Sequence, residues 1–159
     1  MVSSAMNARR STASEILRVI PKVMRILASE MRQEPGGVAP AHFRVMLMLE
    51  KCPMSLTELA EYQAVSLATM SNSISVLVER GWVVRETDPS DRRRLALKIT
   101  GEGKQVLEQV SRRAEDRLNE KLIGLDPEQC QHLIHGLELL NSVFSDPLDA
   151  EHELRREAT

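Results

Sequence analysis

The sequence predicts a mainly α-helical chain with one small β-hairpin. Three observations carry that prediction. Apolar residues recur at steps of three and four along most of the chain. Helix-starting signatures, a Ser, Thr or Asp followed three residues later by Glu or Gln, precede several of those runs. Between residues 82 and 99 the period drops to two around a polar turn, and the helical period then resumes.

Composition narrows the field. The chain has 159 residues and a net charge of -2, so any contact with a polyanion has to come from a local patch. The ordinary apolar content argues against disorder. No apolar run approaches bilayer length, and the opening "MVSSAMNARRST" lacks the apolar core of a secretory signal. A cytoplasmic protein is expected. Cys52 and Cys130 stand far apart without a CxxC or Cys/His cluster, which argues against zinc and for reduced, partly buried thiols.

The first residues, up to about 11, read as a flexible arm. The helix "TASEILRVIPKVMRILASEM" then carries Ile16, Val19, Ile20, Val23 and Leu27 at helical steps, with Thr12 and Glu15 fitting a capping box. Pro21 should kink or restart it, and "EPGG" ends it. "PAHFRVMLMLEKC" is a second helix with Pro40 in its first turn. "SLTELAEY" is a third, with Ser55 and Glu58 as a capping box. "SLATMSNSISVLVER" is a fourth, with Ser66 as N-cap and Gly81 at its end. "WVVRET" and "RLALKI" are strands. Leu95, Leu97 and Ile99 form the second strand's apolar face, and Asp88, Pro89, Ser90 and Asp91 lie in the turn. Thr100 caps a long fifth helix, and Asp126, Pro127 and Gln129 open a sixth. The sixth carries Leu133, Leu137, Leu140 and Phe144 as a stripe. Residues 148–159 read as a charged tail.

Helix, short turn, helix and hairpin, in that order, is the layout of a winged helix-turn-helix. There the second helix of the pair enters a DNA major groove. A wheel of the fourth helix gathers Leu67, Met70, Ile74, Leu77 and Val78 on one side. The opposite side carries small and amide side chains suited to base edges, Asn to adenine and Ser or Thr to bases or phosphates. The candidate DNA contacts are Ser66, Ala68, Thr69, Ser71, Asn72 and Ser75 on this helix, with Asp91, Arg92, Arg93 and Arg94 at the wing. Arginines at a hairpin tip suit a narrow minor groove, and Asp91 suits a structural pairing with a neighbouring arginine.

At this point the residues resemble the MarR family of bacterial transcription regulators. "LTELAEYQAVSLATMSNSISVLVERGWVVRE" is similar to the family's helix-turn-helix. "DPSDRRRLALKITGEG" resembles its wing signature through Asp88, Asp91, Arg93, Thr100 and Gly103. The resemblance implies a helical dimerisation domain from residues 12–37 and 100–147 around a winged helix-turn-helix at 38–99. It also implies a homodimer on a pseudo-palindromic double-stranded DNA operator, with half-sites about 10 bp apart or a multiple of that. A repressor released by a small aromatic effector is the implied output, with Met24, Met31, Phe43 and Met46 as candidate pocket lining or as ordinary core.

Three departures stand out. Residues 66–79 contain no Lys or Arg, so Arg80, Arg85, the wing and Arg9 or Arg10 would have to meet phosphates. The turn "YQAV" has no glycine, and Ala39 stands where a capping hydroxyl is common. Two other readings stay open: a thiol-based redox-sensing regulator, and a protein-interaction module that keeps the fold without binding DNA. An enzyme is not expected. There is no nucleophile elbow, phosphate loop or HExxH, and His132 and His135 lack a third ligand. No cofactor or metal is expected.

Overall fold

The computed structural model describes residues 2–87 and 95–144. The elements run α1 (Val2–Gln33), α2 (Pro40–Lys51), α3 (Leu56–Tyr62), α4 (Leu67–Glu79), β1 (Val83–Thr87), β2 (Leu95–Ile99), α5 (Gly101–Leu122) and α6 (Pro127–Phe144). The sequence-based order and types hold throughout.

Helix α1 departs from the reading at its start. It begins at Val2, ten residues before Thr12. The Thr12 hydroxyl donates to the Ala8 carbonyl at 3.0 Å, a bond made inside a helix rather than at its cap. Glu15 pairs with Arg18 instead. Ala, Met and Arg at 5–10 are good helix formers, but they lack the apolar period that marks a helix in sequence. The helix also runs on through Pro21, at the cost of the one hydrogen bond that proline cannot donate.

The core is built by α2, α3, α4, the hairpin and the first half of α5. Val45, Met46, Leu49, Leu59, Ile74, Leu77 and Val110 are almost wholly buried within it. Helix α2 starts at Pro40 with no side-chain bond from Ala39. Helix α3 has its capping box: Ser55 Oγ accepts from Glu58 N, and Glu58 accepts from Ser55 N. The hairpin is antiparallel, pairing Val83 with Ile99 and Arg85 with Leu97. Leu97 and Ile99 are buried, whereas Leu95 stays exposed near the wing. Met54 bridges the free edge of β2, exchanging two hydrogen bonds with Leu97. A two-stranded hairpin alone is marginal, and this extra rung anchors it to the helices.

Thr100 fastens the hairpin's exit. Its hydroxyl accepts from Gly103 N and donates to Gly81 O at 2.6 Å, while its N–H donates to Trp82 O. Gly103 has to be glycine, because a Cβ there would sit 2.3 Å from the Trp82 carbonyl oxygen.

Helix α1 lies along α5 through an ionic network that the sequence reading did not anticipate. Glu30 is 2% exposed and meets Arg117 at 2.9 Å and Arg113 at 3.6 Å. Glu34, also buried, meets Arg113 at 2.6 Å. Helix α6 opens with the expected box, Gln129 N to Asp126 Oδ1 and Asp126 N to Gln129 Oε1. It buries no residue of its own.

Candidate nucleic-acid interface

Helix α4 is positioned from both ends. At its N-terminus, Ser66 Oγ accepts from Thr69 N at 3.1 Å. At its C-terminus, Trp82 N reaches Leu77 O and Gly81 N reaches Val78 O, with Gly81 at φ +72°. That is a Schellman motif closed by a left-handed glycine. The turn before α4 repeats it: Val65 N bonds Ala60 O and Ala64 N bonds Glu61 O. Here the left-handed position, φ +51°, is held by Ala64. The sharp turn therefore forms without glycine, at a steric cost to its backbone.

Met70, Ile74 and Leu77 anchor α4 in the core. The outward face carries Ala68, Thr69, Asn72 and Ser75, all exposed, with Ser71 half-buried beside them. Ser66 is exposed too, but its hydroxyl bonds Thr69 Oγ1 at 2.8 Å. The wheel needs two corrections. Leu67 and Val78, grouped there with the buried side, are 52% and 37% exposed. They lie at the edge of the sector that Met70, Ile74 and Leu77 define. Asp91, Arg92, Arg93 and Arg94 lie outside the described residues.

Arg80 is not a free phosphate contact. Its guanidinium donates to the carbonyls of Gly37 and Gly36, at 2.5 and 3.0 Å. It also lies 4.8 Å from the centre of the Trp82 ring. It locks the α1–α2 turn to the end of α4. His42 lies in the same cleft, its pKa held below the ordinary histidine value by burial and then by the Arg80 charge. Arg85 is exposed on β1, next to an exposed pair between Glu86 and Lys98.

The four residues suggested for an effector pocket separate. Met31, Phe43 and Met46 are packed in the core, and Met24 is exposed on α1. None of them lines a described cleft. The largest described cleft, about 930 Å³, lies elsewhere, over the outer face of α2. It is lined by Arg44, Leu47, Met48, Glu50, Lys51, Tyr62, Gln63, Ala64 and Lys104. Three cations and one carboxylate beside Leu47 and Met48 would have been hard to see in sequence, since they come from α2 and α5. Cys52 is buried and Cys130 half-buried. Among the described residues no group of three His, Cys, Asp or Glu side chains is placed to hold a metal, and no helix is long and apolar enough to cross a membrane.

A helix pair presenting one small-residue face, followed by a hairpin pinned to its end, defines the winged helix-turn-helix class of regulators. The comparisons narrow it. A model of the MarR family matches residues 36–94. YdgG of Bacillus subtilis, an uncharacterised HTH-type transcriptional regulator, is 32% identical over 103 residues, covering 64% of this chain and 68% of YdgG. The multiple antibiotic resistance protein MarR of Escherichia coli is 29% identical over 90 residues, covering 55% of this chain and 62% of that relative. The crystal structure of RV1404 from Mycobacterium tuberculosis matches the fold with a TM-score of 0.78 at 20% identity, covering 87% of this chain and 95% of that one. The chain belongs to the MarR family of transcription regulators, which are DNA-binding proteins and not enzymes.

Proposed function

We propose that the chain is a cytoplasmic homodimeric regulator that binds a pseudo-palindromic operator and represses until a small effector releases it. The outward face of α4 carries this reading. Asn72 and Ser75 are exposed and make no side-chain hydrogen bond among the described residues, so both are available to base edges. Ser66, Thr69 and Ser71 flank them, and the wing arginines, with Asp91 as their brace, would supply the phosphate and minor-groove contacts that α4 lacks. The dimer reading is supported by apolar side chains that one chain leaves uncovered on α1 and α6. Ile16, Ile20, Leu137, Leu140 and Phe144 line one groove between them.

The effector reading moves from the methionines to the cleft over α2. Arg44, Lys51 and Lys104 outnumber the single carboxylate of Glu50 and favour an anionic group, and Tyr62, Leu47 and Met48 favour an apolar body. Its wall includes Gln63 and Ala64, the turn that sets α4, so a ligand there can favour one placement of the recognition helix over another. The redox alternative is less well supported at Cys52, which is buried, because a sensing thiol needs exposure; the half-buried Cys130 is the thiol it would have to use.

The test is fluorescence anisotropy of the protein on its own upstream DNA and on a scrambled duplex, across a salt series. Tight, sequence-selective and steeply salt-dependent binding is expected. Binding that ignores sequence would instead favour a protein-interaction module.

A further inference from the structure

We propose that Leu67 reads thymine, through its C5-methyl group, where the first turn of α4 meets the base edges. The proposal rests on the operator-binding reading above and specifies what the helix selects. Leu67 is 52% exposed although its heptad neighbours Met70 and Ile74 are buried. Val65, two residues earlier, is 37% exposed. The polar groups of the same turn are partly engaged within it: Ser66 Oγ takes the Thr69 N–H and also bonds the Thr69 hydroxyl. Beside these two exposed hydroxyls, the turn offers two apolar groups outward, the Leu67 side chain and the Ala68 methyl.

Position and chemistry then coincide. The N-terminal residues of a recognition helix are the ones that touch base edges. The thymine methyl is the apolar group that the four bases present in the major groove. Helix α4 also has no Lys or Arg, so it lacks the side chains that pair bidentately with guanine. With Asn72 available to adenine, the helix is built to select A·T pairs, one strand through an amide and the other through a methyl. A scattered exposed leucine needs no explanation on an ordinary surface. This one caps the tip of the element that enters the groove.

The experiment replaces thymine by deoxyuridine, one position at a time, in the upstream duplex that the protein binds selectively. Each replacement removes one methyl and leaves base pairing intact. At one or two positions per half-site the wild-type affinity should fall roughly three- to five-fold, the value of one buried methyl. Leu67→Ala should bind the thymine duplex more weakly and become indifferent to uracil at those positions. Leu67→Met should keep the sensitivity. Because residue 67 is exposed, both variants should fold. Wild-type indifference at every thymine, or full sensitivity retained in Leu67→Ala, overturns the assignment while leaving operator binding intact. Failure to select the unmodified duplex at all overturns operator binding and this assignment with it.

Discussion

The winged body from α2 to β2 and the long helices α1 and α6 handle their apolar residues in opposite ways. In the body the apolar period points inward, and Val45, Met46, Leu59, Ile74 and Leu77 are almost fully covered by one chain. In α6 the same period borders a groove shared with α1 and is left largely uncovered. Leu133, Leu137 and Phe144 are exposed, and Leu17, Val23 and Met24 on α1 are exposed as well. A chain rarely leaves so long an apolar surface uncovered unless something covers it. The body is a finished unit. The helices leave apolar faces that one chain does not cover, and the proposed function assigns them to a second copy.

The sharpest way to break that contrast is a charge in the groove between α1 and α6. Leu137→Glu should convert the proposed dimer to a monomer, measured by sedimentation equilibrium. Operator affinity should fall about 100-fold or more, since two linked half-sites become one. A dimer that survives this change would place the interface elsewhere.

Paired truncations sharpen the comparison further. Leu77→Ala, in the body, should cost about 2–5 kcal/mol in denaturant unfolding, through lost burial and a cavity. Leu139→Ala, on α6 with the side chain 68% exposed, should change stability by less than about 0.5 kcal/mol. Equal losses would mean that α6 is covered more completely than one chain can cover it.

Arg80→Gln probes the seam between the two regions, because Arg80 ties the turn after α1 to the end of α4. Losing its charged hydrogen bonds and its stacking on Trp82 should cost about 2–3 kcal/mol. The salt slope of DNA binding should stay the same, as expected for a residue that meets no phosphate. His42 supplies a pH signature for the same seam. Its pKa is depressed by burial first and Arg80 second, so the folded state favours the neutral ring. That contribution is fully present above the unfolded pKa, about 6.5, and is lost as pH falls below it. In Arg80→Gln this acid-side loss should shrink without vanishing, because burial remains.

Much of this was legible in the sequence because it is local. The Ser55–Glu58 and Asp126–Gln129 boxes, Ser66, Pro40, Gly81 and Thr100 are each specified within a few residues, and each sits as read. What escaped depends on residues far apart in the chain. Glu30 meets Arg117 from 87 positions away, and charged residues on helices ordinarily read as solvated faces. Arg80 looked like a phosphate contact because nothing nearby in sequence announces the Gly36 and Gly37 carbonyls. Met31, Phe43 and Met46 are as apolar as pocket linings usually are, and composition alone cannot separate lining from core. At the interface, Asn72, Ser75 and Ala68 face outward as the wheel placed them. Leu67 does not follow the wheel, because a first-turn residue can overhang the core edge.

A subtler contrast concerns the two matching turns that frame α4. Both are Schellman motifs, but Gly81 closes one and Ala64 the other, each with positive φ. A left-handed alanine is strained by about 1–2 kcal/mol, whereas glycine there loses roughly 0.5–1 kcal/mol of backbone freedom on folding. Ala64→Gly should therefore stabilise the body by about 0.5–1 kcal/mol, read from the denaturant midpoint at unchanged slope. Gly81→Ala should do the reverse, aggravated by a Cβ placed 3.2 Å from the Glu102 carboxylate. If Ala64→Gly stabilises the fold yet weakens effector release, the strained turn beside the α2 cleft is part of the switch. If it stabilises the fold and release is unaffected, the alanine is a tolerated imperfection in a turn that only has to hold α4 in place.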